Sequence, residues 1–383
     1  MKPPNEAEKR FAILALSGFV QTFIEAGVTD TKSFNVWKKN EDNAKYMMRL
    51  FEYPHDAGLP ALTGLVKPFF HPTLPLVGLN YTQLAHNTLH EFPQGWTTAL
   101  RLCRGIVFDD HQYNLVALPF MKFFNFGDHP ETTSLPNEPF EATVKQDGHL
   151  GIIFRYNDEF ILTTRGDFSS PTAQFANKML AQYVKKNNWL EFFPNNNTVL
   201  VEIIHPETQV YVDYGDTKEF RLIGAFSHNL LKDYNYEALK IIAVNLGLPV
   251  TPIWAGNNLK DLAALMKDQT IHNQEGYVVR FESGLRVKFK FENYIGLMVR
   301  DKLSPAYLMQ RMISGNLEKM LLTLPEEIIY ATALNMLGEI LLRISVGGTL
   351  KDKWRRLYDL PHTTSNTYFQ GICRDFVKHL IRT

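Results

Sequence analysis

Short apolar runs recur along residues 101 to about 290, and many of them alternate polar with apolar positions. They include RGIVF, LGIIFRY, EFILTTR, TVLVEII, EGYVVRF and LRVKFKF, which are rich in the β-branched and aromatic residues that favour strands. Two connections, Asn157-Asp158 and Ser283-Gly284, are pairs of turn-forming residues between alternating strands. The pattern therefore predicts antiparallel hairpins within a β-rich core.

Helical periodicity flanks and interrupts this core. The start of the chain predicts an amphipathic helix, and loops containing proline and glycine follow it up to about residue 95. Beyond about residue 292, apolar residues keep helical spacing in a segment rich in Leu, Met, Ala and Glu. Further helices are predicted at about 171–186, 234–246 and 258–268. The chain is therefore predicted to be an α+β protein.

The length of 383 residues exceeds what one hydrophobic core usually holds. The changes in periodicity predict a mixed helical and loop part at 1–95, a β-rich core at 96–298 and a helical C-terminal domain at 299–383. The whole chain carries 40 basic and 40 acidic residues, but from Arg286 onward there are 15 Lys and Arg against 9 Asp and Glu. A polyanionic partner is therefore expected at the C-terminal third and at the pocket.

Cysteine content and hydropathy bear on the compartment. The only cysteines, Cys103 and Cys373, lie far apart and outside any CxxC spacing, which argues against a disulfide framework. No run of about 18 uncharged apolar residues occurs, and the N-terminal segment is a poor match to a secretory leader. We therefore expect a cytoplasmic protein with no membrane partner, and no feature of the sequence indicates an obligate protein partner.

The candidate nucleophile is Lys145 in KQDG, where a predicted strand passes through a glycine turn into the next strand. A lysine amine attacks only when it is unprotonated, so a nucleophilic lysine requires a pKa lowered from about 10.4 by burial or by neighbouring cations. Lys288 and Lys290 alternate along a predicted strand and therefore share one face. This pair is the expected source of those cations.

Five further charged residues lie within or beside apolar runs, where an unpaired charge would cost several kcal/mol. In chain order they are Arg104, Lys122, Arg165, Glu202 and Glu275.

These runs, in this order, resemble the signature of the covalent nucleotidyltransferases, which include ATP-dependent ligases and GTP-dependent mRNA capping enzymes. Within that superfamily, RGIVF and KFFNF before the lysine, with EGYVVRF and VKFKFENY after it, resemble the RNA ligase 1 family of bacteriophage-type ATP-dependent single-strand RNA ligases. The resemblance covers about residues 101–295. It implies an antiparallel-sheet, ATP-grasp-like nucleotidyltransferase core at 96–298, to which 1–95 also belongs, and a C-terminal α-helical domain.

The resemblance also implies the catalytic and metal-binding residues. Lys145 would receive AMP, and Lys288 and Lys290 would contact the α-phosphate. Glu202 would complete the catalytic set. Glu202 and Glu275 would hold Mg²⁺ or Mn²⁺ or the ribose hydroxyls, and the division of these roles between the two carboxylates stays open.

Nucleotide-binding roles follow from the same resemblance. Arg104 and Lys122 would bind the triphosphate or the leaving pyrophosphate, and Gly148 would let the backbone approach the nucleotide closely. Asp147 would orient the nucleophile strand or hold ribose. The full set implied is Arg104, Lys122, Phe124, Asp147, Gly148, Arg165, Glu275, Gly276, Val278 and Tyr294.

The implied function is that of an ATP-dependent RNA ligase. It would join RNA 3′-hydroxyl and 5′-phosphate ends through lysyl-AMP and an adenylylated RNA 5′ end. RNA repair, with broken tRNA among the candidate substrates, would take place in the cytosol of a cell or of an infected host. A DNA ligase or a capping guanylyltransferase would share the first step but normally carries a β-rich OB domain after the last lysine. A catalytically inactive RNA-binding module is the third alternative.

Overall fold

The structure, a computed structural model, describes residues 3–52, 62–91, 95–193, 196–313, 315, 317–321, 327–360, 372–373, 375–377 and 379. The chain divides into two compact units. Unit 1 comprises residues 1–258 and 275–289, and unit 2 comprises residues 259–274 and 290–383.

Thirteen strands are described, and nearly all of them lie in the region where the sequence predicts a β-rich core. They are β1 (Val66–Phe70), β2 (Leu76–Tyr81), β3 (Arg104–Asp109), β4 (Leu115–Ala117), β5 (Phe124–Asn125), β6 (Phe140–Lys145), β7 (His149–Tyr156), β8 (Glu159–Thr164), β9 (Asn197–Ile204), β10 (Glu219–Ser227), β11 (Lys232–Asp233), β12 (Gly276–Phe281) and β13 (Arg286–Lys290).

Helices precede, interrupt and follow the strands. The described α-helices are α1 (Glu6–Glu25), α2 (Thr31–Trp37), α3 (Glu41–Leu50), α4 (Gln83–Glu91), α5 (Thr98–Leu102), α6 (Pro130–Thr133), α7 (Pro171–Lys186), α8 (Trp189–Phe192), α9 (Tyr236–Leu246), α10 (Leu259–Leu265), α11 (Glu292–Lys302), α12 (Pro305–Ile313), α13 (Leu317–Leu321), α14 (Glu327–Ser345) and α15 (Leu350–Tyr358). Short 3₁₀ helices occupy Leu62–Gly64 and Pro206–Thr208.

The strands form three sheets, with the orders β1-β2-β3-β4, β11-β10-β9-β7-β8 and β5-β13-β12-β6. The predicted antiparallel pairing is confirmed in all three, and β5 with β13 is a parallel exception. The Asn157-Asp158 turn joins β7 to β8, and both residues have positive φ angles, as a two-residue hairpin requires. Gly284 likewise has positive φ between the neighbouring strands β12 and β13.

The predicted helix at 171–186 is confirmed with the same bounds, because its first turn is capped by sequence-local groups. Ser170 accepts a hydrogen bond from the Ala173 N–H, and Pro171 occupies the first helical position. The helix predicted at 234–246 begins two residues later, at Tyr236, behind the cap residue Asn235. Parts of the segment beyond residue 292 that is predicted to be helical, residues 361–371 and 380–383 among them, lie outside the described residues.

Two apolar clusters form the core of unit 1. One packs α1, α2 and the sheet β1–β4 against Ile152, Phe154 and Leu200 of the five-stranded sheet. The other lies between that sheet and the helices α7 and α9. Within unit 2, a separate cluster joins α12 and α14 with neighbouring helical residues. Within the described part of the chain, no helix is both long enough and apolar enough to cross a bilayer.

Candidate active site

Unit 1 contains a cavity of about 510 Å³ whose wall is rich in charged side chains. Strands β3, β6, β9, β12 and β13 all contribute to this wall. Half of the predicted site residues line it, namely Arg104, Lys145, Gly148, Arg165, Glu202, Val278 and Lys288. The topology therefore brings together residues that lie up to 184 positions apart in the sequence.

Lys145 is the last residue of β6 and projects into this cavity. In the antiparallel pairing of β6 with β12, Lys145 lies opposite Gly276, so the preceding residue Glu275 falls beside the lysine. The Lys145 ammonium donates a hydrogen bond of 2.6 Å to Glu275 Oε2. The Glu275 side chain is only 4% exposed and that of Lys145 is 20% exposed, so the pair is shielded from most of the solvent.

Glu202 lies on β9, which pairs with β7, the strand that follows the turn after Lys145. Its Oε1 accepts a hydrogen bond of 3.1 Å from the Gly148 N–H. Burial raises the pKa of the Glu202 carboxyl to about 7, and the charge of Glu275 adds to this, whereas Lys145, the Gly148 N–H and Arg104 act to lower it. Glu202 therefore changes its charge near neutral pH.

Gly148 has a packing role that sequence reasoning did not identify. A Cβ atom at this position would lie 2.4 Å from the carbonyl oxygen of Ile203, because β7 and β9 approach closely where His149 pairs with Ile203. Only glycine fits there. The same close approach allows the Gly148 N–H to reach Glu202.

Arg104 and Arg165 bring positive charge to the wall. Gly105, with φ of +96°, allows β3 to pass close to Ile152 and to the backbone of Arg165, since a Cβ there would lie 2.5 Å from Ile152 Cδ1 and 3.1 Å from the Arg165 carbonyl oxygen. In the part of the chain that the structure describes, no carboxylate forms an ion pair with either arginine. Their charge is therefore available to an anionic ligand in the cavity.

The positive charges near the cavity affect the ionisation of Tyr81. Its hydroxyl accepts a hydrogen bond of 3.2 Å from Arg165 Nη1. Burial alone would raise the pKa of Tyr81, but the charges of Lys122, Arg104 and Arg165 lower it below its ordinary value. The three cations therefore act on one small region of unit 1.

Lys122 and Phe124 lie beside the main cavity and not in its wall. The Lys122 ammonium is buried among three aromatic rings, 4.5 Å from the centroid of Trp96 and 5.2 Å from those of Tyr81 and Phe124. Lys122, Trp96 and Phe124 border a smaller cavity of about 90 Å³. Phe123 and Lys288 line both this cavity and the main one. Phe123, which sequence reasoning missed, lines the main cavity together with Phe120, Tyr234 and Tyr236.

Asp147 is engaged with the loop that follows β9. Its Oδ2 accepts hydrogen bonds of 2.7 Å from the N–H groups of Tyr211 and Val212, and its own N–H donates to the Tyr214 hydroxyl at 2.9 Å. These contacts tie the loop after β9 to the strand end that carries Lys145.

Lys290 and Tyr294 belong to unit 2. The Lys290 ammonium lies 5.0 Å from the centroid of the Tyr294 ring and 3.5 Å from the Met298 Sδ atom. Tyr294 is buried in α11.

The cavity wall also contains residues that sequence reasoning missed. Glu141 and Thr143 share the face of β6 with Lys145, and Arg286 shares the face of β13 with Lys288, so alternation along each strand carried a signal for them. Asn80 carried no such signal. It is 5% exposed, and its Oδ1 has no hydrogen-bond partner among the described residues, which is typical of a position that contacts a ligand or water.

The carboxylates at the cavity could bind a divalent metal only if water or a bound phosphate supplied the remaining ligands. No group of three or more His, Cys, Asp or Glu side chains is arranged to hold a metal among the described residues. Glu202 and Glu275, however, both act on the same lysine and on each other. Two carboxylates that leave the remaining positions to water and phosphate oxygens are a common way to bind Mg²⁺.

The sequence model of the RNA ligase family matches residues 102–294, which is just over half of the chain. The chain therefore belongs to the RNA ligase family, a family of enzymes. A curated relative in Thermovibrio ammonificans, named "Putative RNA ligase", is 30% identical over 161 residues. That match covers 39% of this chain and 41% of the relative, so the chain spans about two fifths of the length of the curated relative it matches.

Solved structures of RNA ligases show a partial likeness. An RNA ligase of Naegleria gruberi, determined with pyrophosphate, is 17% identical with a TM-score of 0.34, over 41% of this chain and 51% of that one. An archaeal ATP-dependent RNA ligase is 13% identical with a TM-score of 0.43, over 59% of this chain and 64% of that one.

Proposed function

We propose that this protein is an ATP-dependent RNA ligase that joins RNA 3′-hydroxyl and 5′-phosphate ends through a lysyl-AMP intermediate on Lys145. The observation that carries the proposal is the position of Lys145 in a cavity with Arg104, Arg165 and Lys288 on its wall. A lysine beside several cations is suited to attack a polyphosphate, because the cations offset charge on the phosphate oxygens.

In the first step, Lys145 Nζ forms a bond to the α-phosphorus of ATP, and the bond from that phosphorus to the oxygen of the leaving pyrophosphate breaks. The amine must first lose a proton. Glu275 Oε2, 2.6 Å from Nζ, is placed to accept it. Arg104 and Arg165, without carboxylate partners in the described structure, would bind the phosphates, and Lys288 would contact the α-phosphate.

Glu202 and Glu275 would hold a divalent cation, Mg²⁺ or Mn²⁺, together with phosphate oxygens of the substrate. The bound cation would supply charge neutralisation at those oxygens and favour the unprotonated lysine. Since Glu275 also contacts Lys145, its two oxygens can serve both groups.

In the second step, an oxygen of the RNA 5′-phosphate attacks the phosphorus of lysyl-AMP, and the lysine nitrogen leaves. In the third, the RNA 3′-hydroxyl attacks the 5′-phosphate of the adenylylated end and AMP leaves. Each step exchanges one bond at phosphorus, so one set of cations can serve all three. The physiological role we propose is RNA repair, with broken tRNA as a candidate substrate.

Intact-mass measurement tests the proposal. Purified protein is incubated with Mg²⁺ and either ATP or GTP, after pyrophosphate has been removed, and any adduct is located by peptide mapping. We expect an AMP adduct on Lys145. A GMP adduct would indicate a capping enzyme, and the lack of any adduct on folded protein would favour an inactive RNA-binding module.

The Lys145→Ala variant provides the specific prediction. It should lose adduct formation completely and keep its fold, because the lysine side chain is partly exposed and packs at the cavity wall. Lys67→Ala, which removes an exposed lysine from strand β1, is the matched control and should label normally. Joining of a 5′-phosphorylated RNA, compared with DNA of the same sequence, then distinguishes an RNA ligase from a DNA ligase.

A further inference from the structure

A buried ion pair lies next to the Lys122 site. Arg101 on α5 and Glu131 on α6 form two parallel hydrogen bonds of 2.9 Å each, from Nη1 to Oε2 and from Nη2 to Oε1. The side chains are 7% and 0% exposed, so the pair lies in the protein interior. Buried ion pairs contribute little net stability compared with apolar residues of similar volume, so this pair calls for an explanation other than stability.

The pair is joined to the backbone of Lys122. Arg101 Nε donates to the carbonyl oxygen of Lys122 at 3.0 Å, and the Lys122 N–H donates back to the carbonyl oxygen of Arg101 at 2.8 Å. Both backbone polar groups of Lys122 are thus held by one residue. Glu131 in turn fixes the plane of the guanidinium group, because it accepts hydrogen bonds from Nη1 and Nη2.

Arg101 also contacts Phe124, one of the aromatic rings around the Lys122 ammonium. The Arg101 guanidinium lies 5.3 Å from the centroid of Phe124, and the Phe124 ring stacks on His129 at 3.8 Å with an interplanar angle of 4°. His129 caps the first turn of α6, which carries Glu131. The ion pair, Phe124 and Lys122 are therefore linked by a continuous set of contacts.

The Lys122 ammonium lies over the faces of three aromatic rings, and the Tyr81 hydroxyl adds a polar contact. A cation–π contact requires the cation to lie over the ring, so this attraction depends on where the ammonium is held. No carboxylate forms an ion pair with Lys122 in the described part of the chain. The backbone bonds to Arg101 therefore help to fix where the Lys122 charge lies relative to the smaller cavity, which shares Phe123 and Lys288 with the main one.

We infer that Arg101 and Glu131 are positioning residues for Lys122, and that they set the affinity for the polyphosphate end of the nucleotide. The inference rests on the proposed function and on the role that the family resemblance implies for Lys122, which is to bind the triphosphate or the leaving pyrophosphate. Neither Arg101 nor Glu131 lines the main cavity, so neither is placed to touch the reacting atoms.

Arg101→Lys tests the inference, because lysine keeps the charge but loses the paired hydrogen bonds to Glu131. We expect the KM for ATP in Lys145 adenylylation to rise about tenfold, and inhibition by pyrophosphate to weaken by about the same factor. Joining of RNA that already carries AMP at its 5′ end uses no triphosphate, so its rate should change by less than about twofold. Arg155→Lys, at the remote hairpin pair with Asp158, is the control and should change neither step.

A double-mutant cycle with Lys122→Met separates positioning from general destabilisation. If Arg101 acts through Lys122, Arg101→Lys should have no further effect on the KM for ATP once the lysine is removed. Additive effects would overturn the inference. Should Arg101→Lys fail to fold, Glu131→Gln replaces it in the same cycle, since it preserves the shape of the side chain while it removes the charge and turns one of the two acceptor oxygens into a donor.

The two readouts keep the inference and the proposed function apart. Equal losses in adenylylation and in joining of pre-adenylylated RNA would mean that the pair is merely structural. An unchanged KM for ATP in a folded variant would also reject the inference while leaving the ligase assignment intact. Absence of any AMP adduct on the wild-type protein would overturn both.

Discussion

Glu202→Gln is expected to stabilise unit 1 at alkaline pH while it impairs catalysis. Burial raises the pKa of the Glu202 carboxyl from its ordinary value of 4.5 to about 7, so the folded protein disfavours the charged form. Each pKa unit corresponds to about 1.4 kcal/mol, which limits the effect to about 3 kcal/mol. The side chain is partly exposed and solvent screening weakens the effect, so we expect roughly 1–2 kcal/mol.

The sign of the pH dependence follows from proton binding. Below pH 4.5 the carboxyl is protonated in both the folded and the unfolded protein, and the substitution should change the free energy of unfolding little. Between pH 4.5 and 7 the unfolded state releases its proton first, so the ionisation increasingly favours unfolding. Above pH 7 the cost is fully present. The gain from Glu202→Gln should therefore grow through this window and then stay constant.

Urea unfolding followed by tryptophan fluorescence at pH 4.5, 6 and 8 would measure this gain. Glu275→Gln is the matched control with the opposite expected sign, because its carboxylate accepts the 2.6 Å hydrogen bond from Lys145 and its loss leaves that ammonium without this buried partner. A stability gain for Glu202→Gln that does not depend on pH, or a loss at pH 8, would show that ionisation of Glu202 does not destabilise the folded protein.

Three further substitutions have definite expected outcomes. Lys288→Ala should slow adenylylation of Lys145 about 100-fold in a quenched-flow labelling assay, because it removes a cation from the cavity wall; labelling within twofold of wild type would contradict its phosphate role. Gly148→Ala should cost roughly 1–3 kcal/mol in denaturant unfolding, since its Cβ would lie 2.4 Å from the Ile203 carbonyl oxygen, and an unchanged midpoint would show that the strands can separate there. Asn80→Ala should leave the unfolding midpoint nearly unchanged, because the amide oxygen it removes has no described partner, yet weaken nucleotide binding in calorimetry several-fold; unchanged affinity would mean that the oxygen binds only water.

Much of the β-rich core follows from local features of the sequence. Alternation of polar and apolar residues identified β6, β7, β8, β9, β12 and β13, and the Asn157-Asp158 turn fixed the register between two of them. Local turn chemistry is sufficient there, because a two-residue loop leaves its strands only one way to pair. Helix α7 was predicted for a similar reason, since Ser170 and Pro171 define the residue at which it begins.

Part of the candidate site also follows from the sequence. Lys145, Glu202 and Lys288 stand at strand positions whose alternation and charge are visible without a structure, and all three line the cavity. Lys122 illustrates where such reasoning ends. Its charge is visible in the sequence, but the rings that surround its ammonium include Tyr81 and Trp96, which come from other parts of the chain.

Side-chain alternation and neighbours in the chain are enough to specify the strands and the turns, so both can be predicted without a structure. Which charges meet depends on how the folded chain packs. Glu275 lies beside Lys145 through the pairing of β6 with β12, and Gly148 is required by the carbonyl group of Ile203 on β9. Contacts between distant residues arise from the packing of whole sheets, and no local pattern specifies them.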